Sequence, residues 1–245
     1  MSRINTLLKK KNISIITCYD ATFSNLLEQC KCDAVLVGDS LGIVIKGNKN
    51  TKKVSISEMI YHTKSVRLGS ATIPIISDMP LLGLGSKNDA LINARALINA
   101  GADIIKIEGG SSAIPLIKFL SENMIKVCAH IGYTPQLMSK PSTKIDPKKN
   151  LAIAQALEES GAQMIVLSMM GSGTDKLITK NLAIPTIAFR SSNFCNGDVE
   201  IIYDLIGVTS KFLKIKKNGS ATKPKSCIAA ITNFIERVHK KTTNE

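Results

Sequence analysis

The chain has 245 residues, 44% of them hydrophobic, with 32 lysines and arginines against 19 aspartates and glutamates, a formal net charge of +13. That length suits one large domain with a deep core, and no Pro/Gly/Ser-rich linker or composition shift divides it, so residues 1–245 are read as a single domain ending in a basic segment, 211–245. No apolar run approaches the ~18 residues of a membrane span, and aromatics at 4% leave little for base stacking, so membrane and nucleic-acid partners are excluded; the basic stretch is read as a surface tail that needs no partner, or equally as a surface that could concentrate an acidic small molecule.

The N-terminal "MSRINTLLKKKNIS" carries a basic flank without a continuous apolar stretch or a small-residue cleavage site, and a cytoplasmic location is expected. Beyond it, short apolar runs recur along the chain: "ISIITCYD" (13–20), "DAVLVGDS" (33–40), "TIPIISDM" (72–79), "ADIIKIEG" (102–109), "MIKVCAHI" (124–131), "AQMIVLSM" (162–169), "AIPTIAFR" (183–190) and a weaker "LIGVTS" (205–210). Near-continuous hydrophobicity is what parallel strands covered on both faces require. Helical periodicity fills the gaps. Ser55 and Glu58 form a capping box ahead of "MIYHTKSVRLG", and Gly69 suits its C-terminal stop. "NDALINARALINAG" and "NLAIAQALEESG" repeat the pattern up to Gly101 and Gly161. Eight such units in a chain of this length predict a (β/α)8 barrel, a TIM barrel, whose site forms at the C-terminal ends of the strands. A doubly wound open sheet is the alternative. The six cysteines lack paired CxxC spacing and are expected to be buried, reduced thiols.

On a barrel, the residues that end the apolar runs collect at one mouth: Asp20, Asp39 with Ser40, Asp78, Lys106 with Glu108, and His130. Singly, each has an ordinary explanation as a cap, a turn residue or a core histidine. Together, converging carboxylates repel one another unless a cation joins them. Asp39, Asp78 and Glu108 are oxygen donors that suit a hard ion such as Mg²⁺. Lys106, two residues before Glu108, points to the same side of its strand and could neutralise an anionic substrate.

In order and at compatible spacing, "VLVGDSLG", "YHTKSVRLG", "IISDMP", "AGADIIKIEGG", "CAHIGYTPQ" and "SGAQMIVL" resemble the successive motifs of the ketopantoate hydroxymethyltransferase family. The resemblance spans roughly residues 13–210. It implies a (β/α)8 barrel that uses Mg²⁺ to transfer a hydroxymethyl group from methylenetetrahydrofolate to 3-methyl-2-oxobutanoate, giving 2-dehydropantoate on the way to pantothenate, in a homo-oligomer. It also implies that Asp39 and Asp78 hold the metal with Glu108 in support, that Ser40 and Lys106 contact the keto acid carboxylate, and that His130 lines the pocket.

Three departures fall on one side of that site. Where the family carries its proton-abstracting glutamate, at the end of strand six, this chain has Ser168, a very weak base. The strand-seven end, small and glycine-rich in the family, reads "AFRSSN", so that Phe189 and Arg190 add bulk and charge. The loop after His130 is shorter and lacks the family's glycine-rich Tyr-Lys segment. Two alternatives therefore stand beside the transferase: a non-catalytic relative that keeps metal and keto acid binding, and a carbon–carbon lyase of the phosphoenolpyruvate/isocitrate lyase type. "MGSGTD", with Gly171 and Gly173, reads as a loop that could cradle an anion.

Overall fold

The computed structural model describes residues 3–142, 144–208 and 226–241. Eight parallel strands close in sequence order: β1 (Ile13–Thr17), β2 (Ala34–Val37), β3 (Ile75–Asp78), β4 (Ile104–Glu108), β5 (Val127–Gly132), β6 (Ala162–Ser168), β7 (Thr186–Phe189) and β8 (Gly197–Glu200). The expected (β/α)8 barrel is thus formed, and the open sheet is ruled out. The helices are α1 (Arg3–Leu7), α2 (Ala21–Gln29), α3 (Leu41–Val44), α4 (Ile56–Gly69), α5 (Lys87–Asn99), α6 (Ile114–Glu122), α7 (Pro147–Glu159), α8 (Ser172–Asn181), α9 (Ile202–Leu205) and α10 (Cys227–His239).

Alternation along the strands divides the core in two. Residues such as Ile13, Ile15, Ile76, Ile104, Met164 and Ile187 point inward and form the barrel interior, and Ile4 and Leu7 of α1 join that cluster and close the N-terminal mouth. The intervening strand residues, Ile16, Val35, Ile75, Ile105 and Ile165, face the helices in the outer layer. Each fully buried aliphatic side chain contributes roughly 1.5–3 kcal/mol.

The caps follow the local sequence. Ser55 and Glu58 make the expected capping box at the start of α4, and Ser86 and Asp89 make another at α5. α4 ends at Gly69, where glycine was expected to stop it, and the reason is a close approach: a Cβ there would sit 2.1 Å from the Ala21 carbonyl oxygen, so glycine lets the end of α4 abut the start of α2. Gly101 and Gly161 take positive φ beyond α5 and α7, as helix stops do.

Two expectations need correction, the eighth strand and the burial of the cysteines. The eighth strand is Gly197–Glu200, not 205–210: Leu205 ends α9, residues 206–208 turn away from it, and 209–210 lie outside the described residues. Gly197 makes the closure possible, since a Cβ would meet the Ile13 carbonyl oxygen at 2.2 Å where β8 pairs with β1. The link from β7 to β8, 190–196, contains no helix. Within the basic C-terminal segment, 211–225 lies outside the described residues, whereas α10 buries Ala230, Ile231, Phe234, Ile235 and Val238. Of the six unpaired cysteines, Cys18, Cys32, Cys128 and Cys195 are buried, but Cys30 is half-buried and Cys227 exposed. Among the described residues no helix is long and apolar enough to cross a membrane.

Candidate active site

Residues two apart on a strand share a face, so the inward set can be followed to the C-terminal mouth. Asp78 follows Ile76, Lys106 and Glu108 follow Ile104, and His130 follows Cys128. Register then makes neighbours of them, Asp78 beside Lys106 and Glu108 beside His130. Lys106 Nζ donates to Asp78 Oδ1 at 2.6 Å and lies 3.6 Å from Glu108 Oε1. His130 Nδ1 stands 2.9 Å from Glu108 Oε1. Asp39, just past β2, donates its backbone N–H to Asp78 Oδ2 at 2.9 Å. Ser40 Oγ is 2.8 Å from the Tyr19 hydroxyl.

Asp39, Ser40, Asp78, Lys106, Glu108 and His130 all line one cavity of about 140 Å³. Asp20 does not join them: its side chain accepts the Phe23 N–H and caps α2. Met169, Phe189 and Arg190 form the cavity's far side. Ser168 is buried at the end of β6 between Gly132 and Phe189, and its hydroxyl has no hydrogen-bond partner. Met169 and Arg190, which follow these two strand ends, both have positive φ, 55° and 50°. Arg190 stacks over the Phe189 ring and pairs with Asp204 at 2.8 Å. "MGSGTD" opens α8, with Gly171 as its N-cap residue.

Three buried carboxylates face one buried ammonium. Burial, reinforced by repulsion from Asp78 and Glu108, holds the Asp39 carboxyl well above the usual range. Burial also acts against charge on Lys106, but Asp78, Glu108 and Asp39 together outweigh it and raise its pKa, so the amine stays protonated. Burial raises Glu108 too, yet its contact with His130, with help from Lys106 and the Gln136 N–H, brings it down to about 2. Lys106 compensates Asp78, so the carboxyl left without a close cation is Asp39, and with Asp78 beside it an all-oxygen donor set of that kind fits a hard divalent cation.

The expected trio of ligands, Asp39, Asp78 and Glu108, lines a single cavity. Among the described residues no three Asp, Glu, His or Cys side chains are arranged to hold a metal by themselves. Glu108 already accepts from His130 on Oε1 and from the Gln136 N–H on Oε2, at 3.1 Å. Two protein carboxylates with further positions left to substrate and water remain an ordinary Mg²⁺ arrangement.

Gln136 is the residue that sequence reasoning missed. Buried in the loop after β5, it donates Nε2 to Asp39 Oδ2 at 2.9 Å and to the Met79 carbonyl at 3.1 Å, while its backbone N–H serves Glu108. One residue thus ties the loop to two site carboxylates. The only sequence signal was its place in "YTPQ" after a site strand. A second, larger cavity of about 600 Å³ adjoins the first through Tyr133 and Met169, which line both, and extends past Gly109, Ser142, Lys144 and Lys149.

Residues 1–243 match the family described as ketopantoate hydroxymethyltransferase. Among relatives, the 3-methyl-2-oxobutanoate hydroxymethyltransferase of Wigglesworthia glossinidia brevipalpis is 41% identical over 240 residues, covering 94% of this chain and 90% of its own. The enzyme of the same name from Nitrosospira multiformis is 39% identical over 217 residues, covering 85% and 82%. In three dimensions the chain resembles phosphonopyruvate hydrolase in a complex with oxalate and Mg²⁺, with a TM-score of 0.63, 15% identity and coverage of 77% and 72%. At that identity the likeness is one of fold.

Proposed function

The chain belongs to the ketopantoate hydroxymethyltransferase family, and on that premise we propose that it transfers a hydroxymethyl group from methylenetetrahydrofolate to 3-methyl-2-oxobutanoate, yielding 2-dehydropantoate for pantothenate synthesis. The observation that carries the reading is the buried Asp39–Asp78 pair beside the Lys106 ammonium in a small cavity. A space of about 140 Å³ suits a five-carbon keto acid. The adjoining cavity of about 600 Å³ is of the size that larger ligands occupy, and it suits the folate.

Lys106 and Ser40 would bind the keto acid carboxylate, with Tyr19 holding the Ser40 hydroxyl. Asp39 and Asp78 would hold Mg²⁺, and Glu108 would stand beside it through its hydrogen bonds to His130 and Gln136. When bound, a divalent cation draws electron density from the ketone and carboxylate oxygens and so acidifies the neighbouring C–H. Loss of that proton makes the third carbon a nucleophile, which bonds to the one-carbon unit. Water supplies the hydroxyl oxygen, and the folate nitrogens leave carrying hydrogen. Tyr133 and Met169, shared by both cavities, would screen the reacting carbons from bulk water.

We place this activity in the cytoplasm, in a homo-oligomer. Large apolar side chains left exposed on α4 and α5, among them Tyr61, Leu68 and Ile92, support association, which sedimentation would measure. The test of function is a transfer assay with purified protein, Mg²⁺, 3-methyl-2-oxobutanoate and methylenetetrahydrofolate, run beside deuterium exchange at the third carbon of the keto acid without folate. Transfer sustains the proposal. Keto acid binding without exchange or transfer would instead identify a binding relative, the reading that the neutral Ser168 favours.

A further inference from the structure

The reaction needs a group that removes a proton from the keto acid, and the glutamate expected for it is replaced by Ser168. The cavity itself limits the candidates. Lys106 is an ammonium paired with Asp78 and has no lone pair to offer. Asp78 accepts from Lys106 and from the Asp39 N–H, and Asp39 accepts from Gln136 and shares the cation site. Both Glu108 oxygens are engaged. Ser168 has only a neutral hydroxyl.

His130 differs from all of these. Its Nδ1 is taken by Glu108 at 2.9 Å, while its Nε2 is buried and has no hydrogen-bond partner, on a side chain that lines the cavity with Asp39, Asp78 and Lys106. An ionised carboxylate can only accept, so Glu108 requires Nδ1 to carry the ring proton, and in the neutral ring the lone pair then lies on Nε2. A base oriented by a second group in this way is the usual construction for proton abstraction.

Resting on the function proposed above, we infer that His130 is the catalytic base of this chain, oriented by Glu108, in place of a carboxylate at position 168. The bond from hydrogen to the keto acid's third carbon breaks, its electron pair passes into the carbon skeleton as an enolate, and the proton goes to Nε2. The resulting imidazolium faces Glu108, and it returns the proton to water or to the departing folate nitrogen.

The test separates base chemistry from binding. His130→Asn keeps a donor near the Nδ1 position for Glu108 and deletes Nε2. It should lower deuterium exchange at the keto acid's third carbon by about 10²–10⁴, a far larger fall than in Mg²⁺-dependent keto acid affinity measured by calorimetry. Exchange equal to that of the native protein would overturn the assignment. A readout on the unaltered protein guards against misfolding of the variant: ¹⁵N-histidine NMR, with three histidines to resolve, must find the His130 proton on Nδ1, and a proton on Nε2 instead overturns the inference. Native protein with neither exchange nor transfer would remove the function reading itself, whereas native exchange that survives in His130→Asn would remove only this step.

Discussion

The arc of the barrel mouth from β2 to β5 and the arc formed by β6 and β7 are built on opposite terms. On the first, Asp39, Asp78, Lys106, Glu108 and His130 are buried and joined by hydrogen bonds of 2.6–3.1 Å, with Gln136 tying the loop to them. On the second, the buried Ser168 hydroxyl has no partner, and Met169 and Arg190 hold backbone conformations that favour glycine. The first arc is a preorganised charged network in which one change propagates. The second is neutral or screened and carries local strain, so changes there should be absorbed or even favourable.

The largest difference should appear on removing Asp78. Asp78→Asn removes the carboxylate that accepts from Lys106 at 2.6 Å but leaves Glu108 3.6 Å from the ammonium, so the cost is that of one charged hydrogen bond, about 1.5–3 kcal/mol. Denaturant unfolding should show a loss in that range, and calorimetry a fall in Mg²⁺-dependent keto acid affinity. Ser168→Ala, by contrast, removes a hydroxyl that bonds to nothing and should leave stability unchanged or slightly raised. Equal losses in the two variants would break the comparison.

Acid offers a second measure, using a carboxylate at the opposite end of the barrel. Burial would raise the Asp33 pKa, but Lys10, Ser14 and His239 outweigh it and lower it below the usual range. Its folded value therefore lies below its unfolded value of about 3.9. The stability it contributes is present above that unfolded value and is lost as pH falls through the folded value. Since His239 ends α10 and bonds Asp33 at 2.7 Å, Asp33→Asn should cost about 2 kcal/mol at neutral pH and flatten the acid limb of an unfolding-versus-pH curve. An unchanged acid limb would show that compensation by neighbours is not what distinguishes these carboxylates.

Much of this was legible in the sequence, and the failures have causes. Runs such as "ISIIT" and "MIVLS" announce buried parallel strands because both faces are covered. "GDVE" could not: two of its four residues are acidic, and its place is decided by a close approach of Gly197 to Ile13 that no local pattern records. The carboxylates were found because each ends an apolar run. Gln136 was not, because its role depends on a loop folding back over Asp39, 97 positions away. That Glu108 also accepts from His130 and from the Gln136 N–H is likewise set by the fold, since those partners lie 22 and 28 positions further along the chain.

Strain on the β6–β7 arc gives a smaller effect of opposite sign. Left-handed backbone costs roughly 1–2 kcal/mol in a residue with a side chain. Met169, partly exposed with φ 55°, should therefore gain about 1 kcal/mol on Met169→Gly, seen as a higher midpoint in urea. Arg190→Gly should gain less, because it also gives up the ion pair to Asp204 at 2.8 Å. Destabilisation by Met169→Gly would mean that its packing at the junction of the two cavities outweighs the backbone term.

The smallest expected effect is the one that most sharply divides the two arcs. Ser168→Glu restores a carboxylate where the family has its base. In a site with no base, that change would raise exchange and transfer by about 10²–10⁴, equivalent to roughly 3–5.5 kcal/mol of barrier. With His130 already abstracting the proton, a second base has little to add, and a buried carboxylate beside Phe189 would face a desolvation penalty of its own. The gain should then stay below about tenfold, under roughly 1.4 kcal/mol. The two schemes part most clearly in the double variant. Ser168→Glu added to His130→Asn should recover exchange that His130→Asn alone has lost, because the new carboxylate then works without competition. A gain above a hundredfold for Ser168→Glu in the otherwise native chain would show that the charged arc holds the substrate without deprotonating it, and that the replaced glutamate was the base after all.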